Sequence, residues 1–340
     1  MIAAEDRDAC LDAIKTGSHS FYAASRLLPP KIRERSVILY AFCRLADDSV
    51  DLTQAKSLAV AGLRTRLELA YEGTPADSPA DRAFTALASE VAMPKALPEA
   101  LLEGLAWDAD GRCYDSLEDL HGYCARVASA VGVMMCVVMG VRDRDVLARA
   151  CDLGVAMQLT NIARDVGEDA AAGRLYMPLN WLRESGLDPE AFLADPQPVL
   201  PVRDAVSRLL VEAERLYRRS EAGIGGLPAS CRIGIFAARQ IYARIGTHVG
   251  RAGHDSISRR AKTSQAEKLA LLFLAFAQAT GCFLMPNSPR RYAPPLDATA
   301  FLVDAAAGTA PDSAWGDGKP GTVLSILAQL KQKDRSARYA

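Results

Sequence analysis

The chain has 340 residues, with 40 Lys and Arg against 41 Asp and Glu, a net charge of −1. That length covers one to two domains and buries about 75% of its unfolded surface without covalent staples. The near-neutral balance, with no basic stripe and no aromatic-basic interleaving, excludes a nucleic-acid partner. Eight cysteines without a CxxC pair point to structural thiols in a reducing cytosol.

Helix formers dominate, apolar residues recur at three and four, and no stretch alternates over six residues, so the chain is predicted all-α. No internal repeat is present. Breaks fall at Leu28-Pro29-Pro30, 73–79, 94–98, 186–201, 225–228 and 286–295, and separate helices rather than domains. The acidic start MIAAEDRDAC lacks the apolar run of a secretory signal. In segment 16–29, Ser18 or Ser20 suits a helix cap. Residues 37–51, VILYAFCRLADDSVD, put Tyr40, Arg44, Asp47 and Asp51 at offsets 0, 4, 7 and 11, one helical stripe. Arg44 can hold a diphosphate there or brace the aspartates.

Residues 62–72 and 81–92 read as amphipathic surface helices. Within 99–120, Asp108 and Asp110 share no face and read as ordinary surface acids. Tyr123, Val127, Val131 and Met134 or Met135 line one stripe of 123–140, among small residues that include Ala128 and Gly132. Close helix packing is the default there; room for a long apolar ligand is the alternative. Val127–Val141 and Leu269–Met285 are apolar over 15 and 17 residues, short of the roughly 20 a bilayer span needs, and are expected as buried core helices.

Residues 154–178 read GVAMQLTNIARDVGEDAAAGRLYMP. Gln158, Asn161, Asp165 and Asp169 sit at offsets 0, 3, 7 and 11, within an arc of roughly 80° on an otherwise apolar helix. Buried carboxylates are costly unless paired or metal-bound. Oxygen-only donors suit a hard cation, Mg²⁺ before zinc. The stripe is either a solvated acidic face or half of a metal site. The second reading requires a facing acidic helix, and residues 40–51 supply one. Residues 203–224 read as a charged helix, and the GIGG at 223–226 follows no strand, so it is no dinucleotide fingerprint. From 287 the composition shifts to Pro, Gly, Ala and Asp. The expected division is therefore an all-α catalytic domain at 1–286 and an extension at 287–340, with a terminal amphipathic helix carrying Val323, Ile326, Leu327 and Leu330.

The stretches YAFCRLADDSVD (40–51), YCARVASAVGVMM (123–135) and QLTNIARDVGEDAAAGRLYMP (158–178), with SHSFYAASRLLP (18–29) and AGHDSISRRA (252–261), resemble the squalene and phytoene synthase family of head-to-head prenyl transferases, its bacterial phytoene synthases most of all. The resemblance implies a single-domain isoprenoid-synthase-type helical bundle with a central apolar cavity. It implies Mg²⁺, with Mn²⁺ as a substitute, on Asp47, Asp51, Gln158, Asn161, Asp165 and Asp169. These aspartates and Tyr40, Tyr123, Tyr176 and Tyr242 form the implied catalytic set. Ser20, Phe21, Arg44, Val127, Val131, Gly132, Gln158, Arg174 and Arg259 or Arg260 are implied to bind substrate. The implied reaction joins two geranylgeranyl diphosphates into phytoene, the first committed step of carotenoid biosynthesis. Squalene or dehydrosqualene formation from farnesyl diphosphate is the near alternative. A non-catalytic assembly factor of the same fold is a third reading, against which the intact aspartates argue. The expected location is cytoplasmic, with loose contact to the inner face of a membrane or to downstream carotenoid enzymes.

Overall fold

Local capping sets where several helices begin. A computed structural model describes residues 2–51, 55–284 and 288–307, and of residues 19, 20, 51, 283 and 284 the backbone alone. The N-terminal helices are α1 (Ala4–Gly17), α2 (His19–Ser25), α3 (Pro30–Asp51), α4 (Lys56–Glu72), α5 (Pro79–Glu90) and α6 (Ala96–Ala109). Then come α7 (Leu117–Cys124), α8 (Ala130–Val138), α9 (Arg144–Ala171), α10 (Leu179–Glu184), α11 (Pro189–Ala194), α12 (Leu200–Ile224), α13 (Ala229–Arg251), α14 (Gln265–Leu284) and α15 (Ala300–Ala307). Among the described residues there is no strand. Ser18 caps α2 by accepting from the Phe21 amide at 3.3 Å, and Asp143 caps α9 by accepting from Val146 at 2.9 Å.

Helix α9 is the axis of the bundle. It packs against α7, α8, α12 and α13 and buries Val155, Leu159, Ile162, Ala163 and Val166. A helix with apolar residues on several faces belongs in a core, and its buried polar groups include the Arg149–Asp152 pair, while the Gln158–Asp169 stripe is half-buried.

The stretch predicted as one helix over 123–140 is three pieces. Helix α7 runs into a π-helical turn at Ala125–Ser129 before α8 begins. Residues 117–138 are apolar and long enough to cross a membrane by composition, with mean hydropathy 1.4, yet 61% of that window is buried inside the protein. Ser129 Oγ donates to the Cys151 carbonyl on α9 at 2.8 Å. A Cβ on Gly132 would lie 3.3 Å from the Ala150 carbonyl oxygen. The small residues here serve close helix packing, the default reading.

The expectation for 269–285 is overturned. Helix α14 buries Leu271, Ala275 and Ala279, and Gln240 of α13 donates to its Gln278 at 2.7 Å. Its other face shows Leu269, Phe273 and Phe276 at 57%, 70% and 61% exposure. Among the described residues, the helix packs mainly against α13 and leaves this apolar face exposed. All eight thiols are free.

The expected boundary at 286 falls inside the compact unit, which runs from Met1 to Ala306. The fully buried Arg149 explains why. Its guanidinium pairs with Asp152 at 2.7 Å and donates to the carbonyls of Arg290 (2.7 Å), Ala293 (2.9 Å) and Pro294 (3.3 Å). The two terminal guanidinium nitrogens satisfy carbonyls of a segment that α-helix periodicity cannot reveal. The predicted terminal helix lies outside the described residues.

Candidate active site

A cavity of about 540 Å³ opens between the α1–α2 junction, α3, α6, α7 and α9, a size suited to a small-molecule site. Gly17, Ser18 and Phe21 line one rim, and Tyr40, Cys43, Arg44 and Asp47 come from α3. Leu101, Leu105 and Asp108 come from α6, Tyr123 and Val127 from α7 and the π turn, Gln158 and Arg164 from α9, and Arg260 from the loop before α14. The stripes of α3 and α9 thus meet at one chamber, apolar along α6 and charged along α3 and α9.

On α3, Arg44 braces the aspartates. Its guanidinium lies 2.6 Å from Asp48 Oδ1 and 3.9 Å from Asp47 Oδ2. Tyr40 fits against the α1 terminus because residue 17 is glycine: a Cβ there would sit 2.5 Å from the phenol oxygen. Asp51 ends α3, and its side chain, like that of Ser20, lies outside the described residues.

On α9, Asn161 Nδ2 donates to Gln158 Oε1 at 3.3 Å. Asp165 accepts from Arg164 Nε at 2.7 Å and from Arg260 Nε at 2.8 Å. Burial pushes the Asp165 carboxyl up, but these hydrogen bonds outweigh it and hold the group below the usual carboxylate range. Asp169 behaves oppositely. Burial, then the Asp165 charge, push it up to about 7, and Arg174 offsets only part of that. Arg260 reaches the site because residue 167 is glycine. The Gly167 amide donates to the Ser256 carbonyl at 3.1 Å, and Ser256 Oγ donates to the Ala163 carbonyl at 2.6 Å, so the loop lies directly on α9.

A tyrosine stack closes another wall. The rings of Tyr123 and Tyr176 stack 5.1 Å apart, with Tyr114 5.2 Å from Tyr123. Asp108 binds two of the phenols: Tyr123 Oη donates to its Oδ2 at 2.8 Å and Tyr176 Oη to its Oδ1 at 2.7 Å. Burial first, then the Asp108 charge, push both phenols up.

Of the predicted site residues, Phe21, Tyr40, Arg44, Asp47, Tyr123, Val127, Gln158 and Arg260 line the cavity, whereas Asn161, Asp165, Asp169, Arg174, Tyr176 and Tyr242 are not among its lining residues. Phe21, 42% exposed, tilts toward Tyr40 at 6.1 Å between ring centroids. Tyr242 packs on the α9 core, and the charges of Arg164 and Asp165 act on it. Of the two candidate arginines, Arg260 binds Asp165, while Arg259 is exposed. Val131 and Gly132 are not among the cavity-lining residues, and Gly132 abuts α9 instead. The reading of Asp108 as a surface acid is overturned, since its partners lie 15 and 68 residues away and no local spacing shows them. Arg164 was also missed, although it adjoins Asp165 in the motif.

The donors fit a hard divalent cation. Asp47, Gln158, Asn161, Asp165 and Asp169 offer oxygen only. Asn161 Oδ1 is buried without a hydrogen-bond partner, and burial, then the Asp165 charge, push the Asp169 carboxyl up; a cation relieves both. Among the described residues, no three acids, imidazoles or thiols form a ready cage.

The chain belongs to the squalene/phytoene synthase family, whose sequence profile matches residues 14–267. It is 54% identical to a phytoene synthase of Cereibacter sphaeroides over 98% of this chain and 96% of that protein. Identity to a phytoene synthase of Rhodobacter capsulatus is 52%, over 98% of each. The crystal structure of a dehydrosqualene synthase superposes with a TM-score of 0.75 at 30% identity, covering 82% of this chain and 97% of that one. The architecture is the all-α isoprenoid-synthase fold.

Proposed function

We propose that this prenyl transferase of the phytoene synthase type joins two geranylgeranyl diphosphates head to head. The observation that carries the reading is the shared chamber of the α3 and α9 stripes, in a chain more than half identical to phytoene synthases. In the first half-reaction one diphosphate leaves, and C1 of the allylic cation is captured by the C2–C3 double bond of the second molecule. Loss of a proton closes the cyclopropane of prephytoene diphosphate. A second ionisation, rearrangement and proton loss give phytoene.

The residues divide this work by chemistry. Arg44 and Arg260 give charge-assisted hydrogen bonds to phosphate oxygens. Asp47, Asp51, Gln158, Asn161, Asp165 and Asp169 hold Mg²⁺, or Mn²⁺ in its place, which neutralises the charge on the departing diphosphate. Phe21, Leu101, Leu105 and Val127 exclude the water that otherwise traps the cation as an alcohol. Tyr40, Tyr123, Tyr176 and Tyr242 present aromatic faces that attract it.

Incubation of pure protein with Mg²⁺ and geranylgeranyl diphosphate tests the reading by product mass. A C40 hydrocarbon is expected, and recovery of only substrate or geranylgeraniol counts against it. Asp47→Asn and Asp165→Asn are each expected to abolish turnover while the helical circular dichroism stays unchanged. A competition between C15 and C20 diphosphates addresses chain length, and preference for C15 transfers the reading to squalene or dehydrosqualene formation.

The proposed setting is cytoplasmic with loose bilayer contact. Support comes from the apolar outer face of α14, with the exposed Arg259 and Lys262 just before it, and from a product insoluble in water.

A further inference from the structure

We infer that Asp108 is a positioning residue that fixes Tyr123 and Tyr176 as hydrogen-bond donors away from the reacting carbons, leaving their oxygen lone pairs to the cation. The inference rests on the prenyl-transfer reading above and deepens it at one wall of the same chamber.

The argument begins with what a phenol has to offer. Each tyrosine carries one O–H and two lone pairs. A hydroxyl left alone rotates to suit whatever approaches it. Here both hydroxyls are spoken for: Tyr123 gives its proton to Asp108 Oδ2 at 2.8 Å, and Tyr176 gives its proton to Oδ1 at 2.7 Å. An ionised carboxylate only accepts, so neither hydrogen bond can reverse. Charge-assisted bonds of this kind are roughly twice as strong as neutral ones, and burial of the phenols strengthens them further.

Donation has a second effect. A phenol that donates to a carboxylate is richer in electrons at its oxygen, so its lone pairs attract a cation more strongly. The rings are held still as well, since Tyr123 stacks on Tyr176 and Tyr114 tilts against it at 5.2 Å. Asp108 and Tyr123 line the cavity from α6 and α7, while the arginines facing a diphosphate, Arg44 and Arg260, come from α3 and the loop before α14. Asp108 hydrogen-bonds the phenols, and its charge also helps raise Asp169, so its effect on the cation is read with both arginines in place.

This separation dictates the test. Asp108→Asn keeps the shape, but a carboxamide accepts from one phenol and donates to the other, turning one hydroxyl around. With Mg²⁺ and geranylgeranyl diphosphate, kcat is expected to fall about 10²-fold, in line with loss of one preorganised stabilising group. KM and the affinity for a non-reactive diphosphate analogue are expected to stay within about threefold, as diphosphate binding is untouched. The ratio of geranylgeraniol to C40 product is expected to rise, because a less stabilised cation is captured by water more often. Tyr176→Phe keeps the ring and deletes one donor; a smaller rise in the same ratio is expected, which keeps the test open if Asp108→Asn fails to fold. An unchanged ratio in the folded variants overturns the inference, as does a loss confined to KM or analogue affinity. Failure of the wild-type protein to form any C40 product instead overturns the underlying reading.

Discussion

Asp165 and Asp169 lie one helical turn apart on α9, yet their environments push them in opposite directions. Two arginines satisfy Asp165, and its carboxylate stays ionised. Asp169 faces burial and its neighbour's charge, and is pushed up to about 7. A group whose folded pKa is raised binds its proton more tightly folded than unfolded. Its presence therefore costs stability as pH rises from the ordinary carboxylate range to about 7. In a chelator, Asp169→Asn is expected to melt about 2–4 °C above wild type at pH 8 and to match it near pH 4, while losing turnover. Thermal melts at the two pH values check this. A variant no more stable than wild type at pH 8 contradicts the assignment of strain to that carboxyl.

At the scale of elements, the site depends on one loop lying flat on α9. Gly167 permits it: a Cβ there would stand 2.9 Å from Ile257 Cα and 3.0 Å from its carbonyl oxygen. Both contacts are backbone, so the loop as a whole has to move. Asp255 stiffens that loop by accepting from the amides of Ile257 at 3.1 Å and Ser258 at 2.9 Å. Gly167→Ala is expected to cost about 1–3 kcal/mol by overpacking and to draw Arg260 off Asp165. Denaturant melts measure the first effect, and the affinity for a diphosphate analogue, expected to weaken several-fold, measures the second. Normal affinity in the variant removes the loop from the account of diphosphate binding.

For the whole molecule, the α14 face left exposed among the described residues is the main feature that the chemistry leaves over. Large contiguous apolar patches on soluble proteins mark interaction surfaces. Each phenylalanine taken out of water contributes about 1.5–3 kcal/mol. Wild-type protein is expected to float with vesicles containing anionic lipid, and Phe273→Ser with Phe276→Ser to reduce that binding at least about tenfold without lowering Tm. Concentration-dependent mass that vanishes in the same double variant assigns the face to a second copy of the chain instead.

Much of this was present in the one-dimensional pattern. Offsets of 0, 3, 7 and 11 put Gln158, Asn161, Asp165 and Asp169 on one stripe because helix geometry is local, and the same geometry aligned Tyr40, Arg44 and Asp47. The all-α class followed from periodicity for the same reason. Three-dimensional packing alone decided that Asp108 clasps two tyrosines, that Arg260 rather than Arg259 meets Asp165, and that α14 exposes an apolar face among the described residues. Those outcomes depend on contacts between residues far apart in the chain, and a helical repeat carries no information about which distant side chain fills the space in front of it.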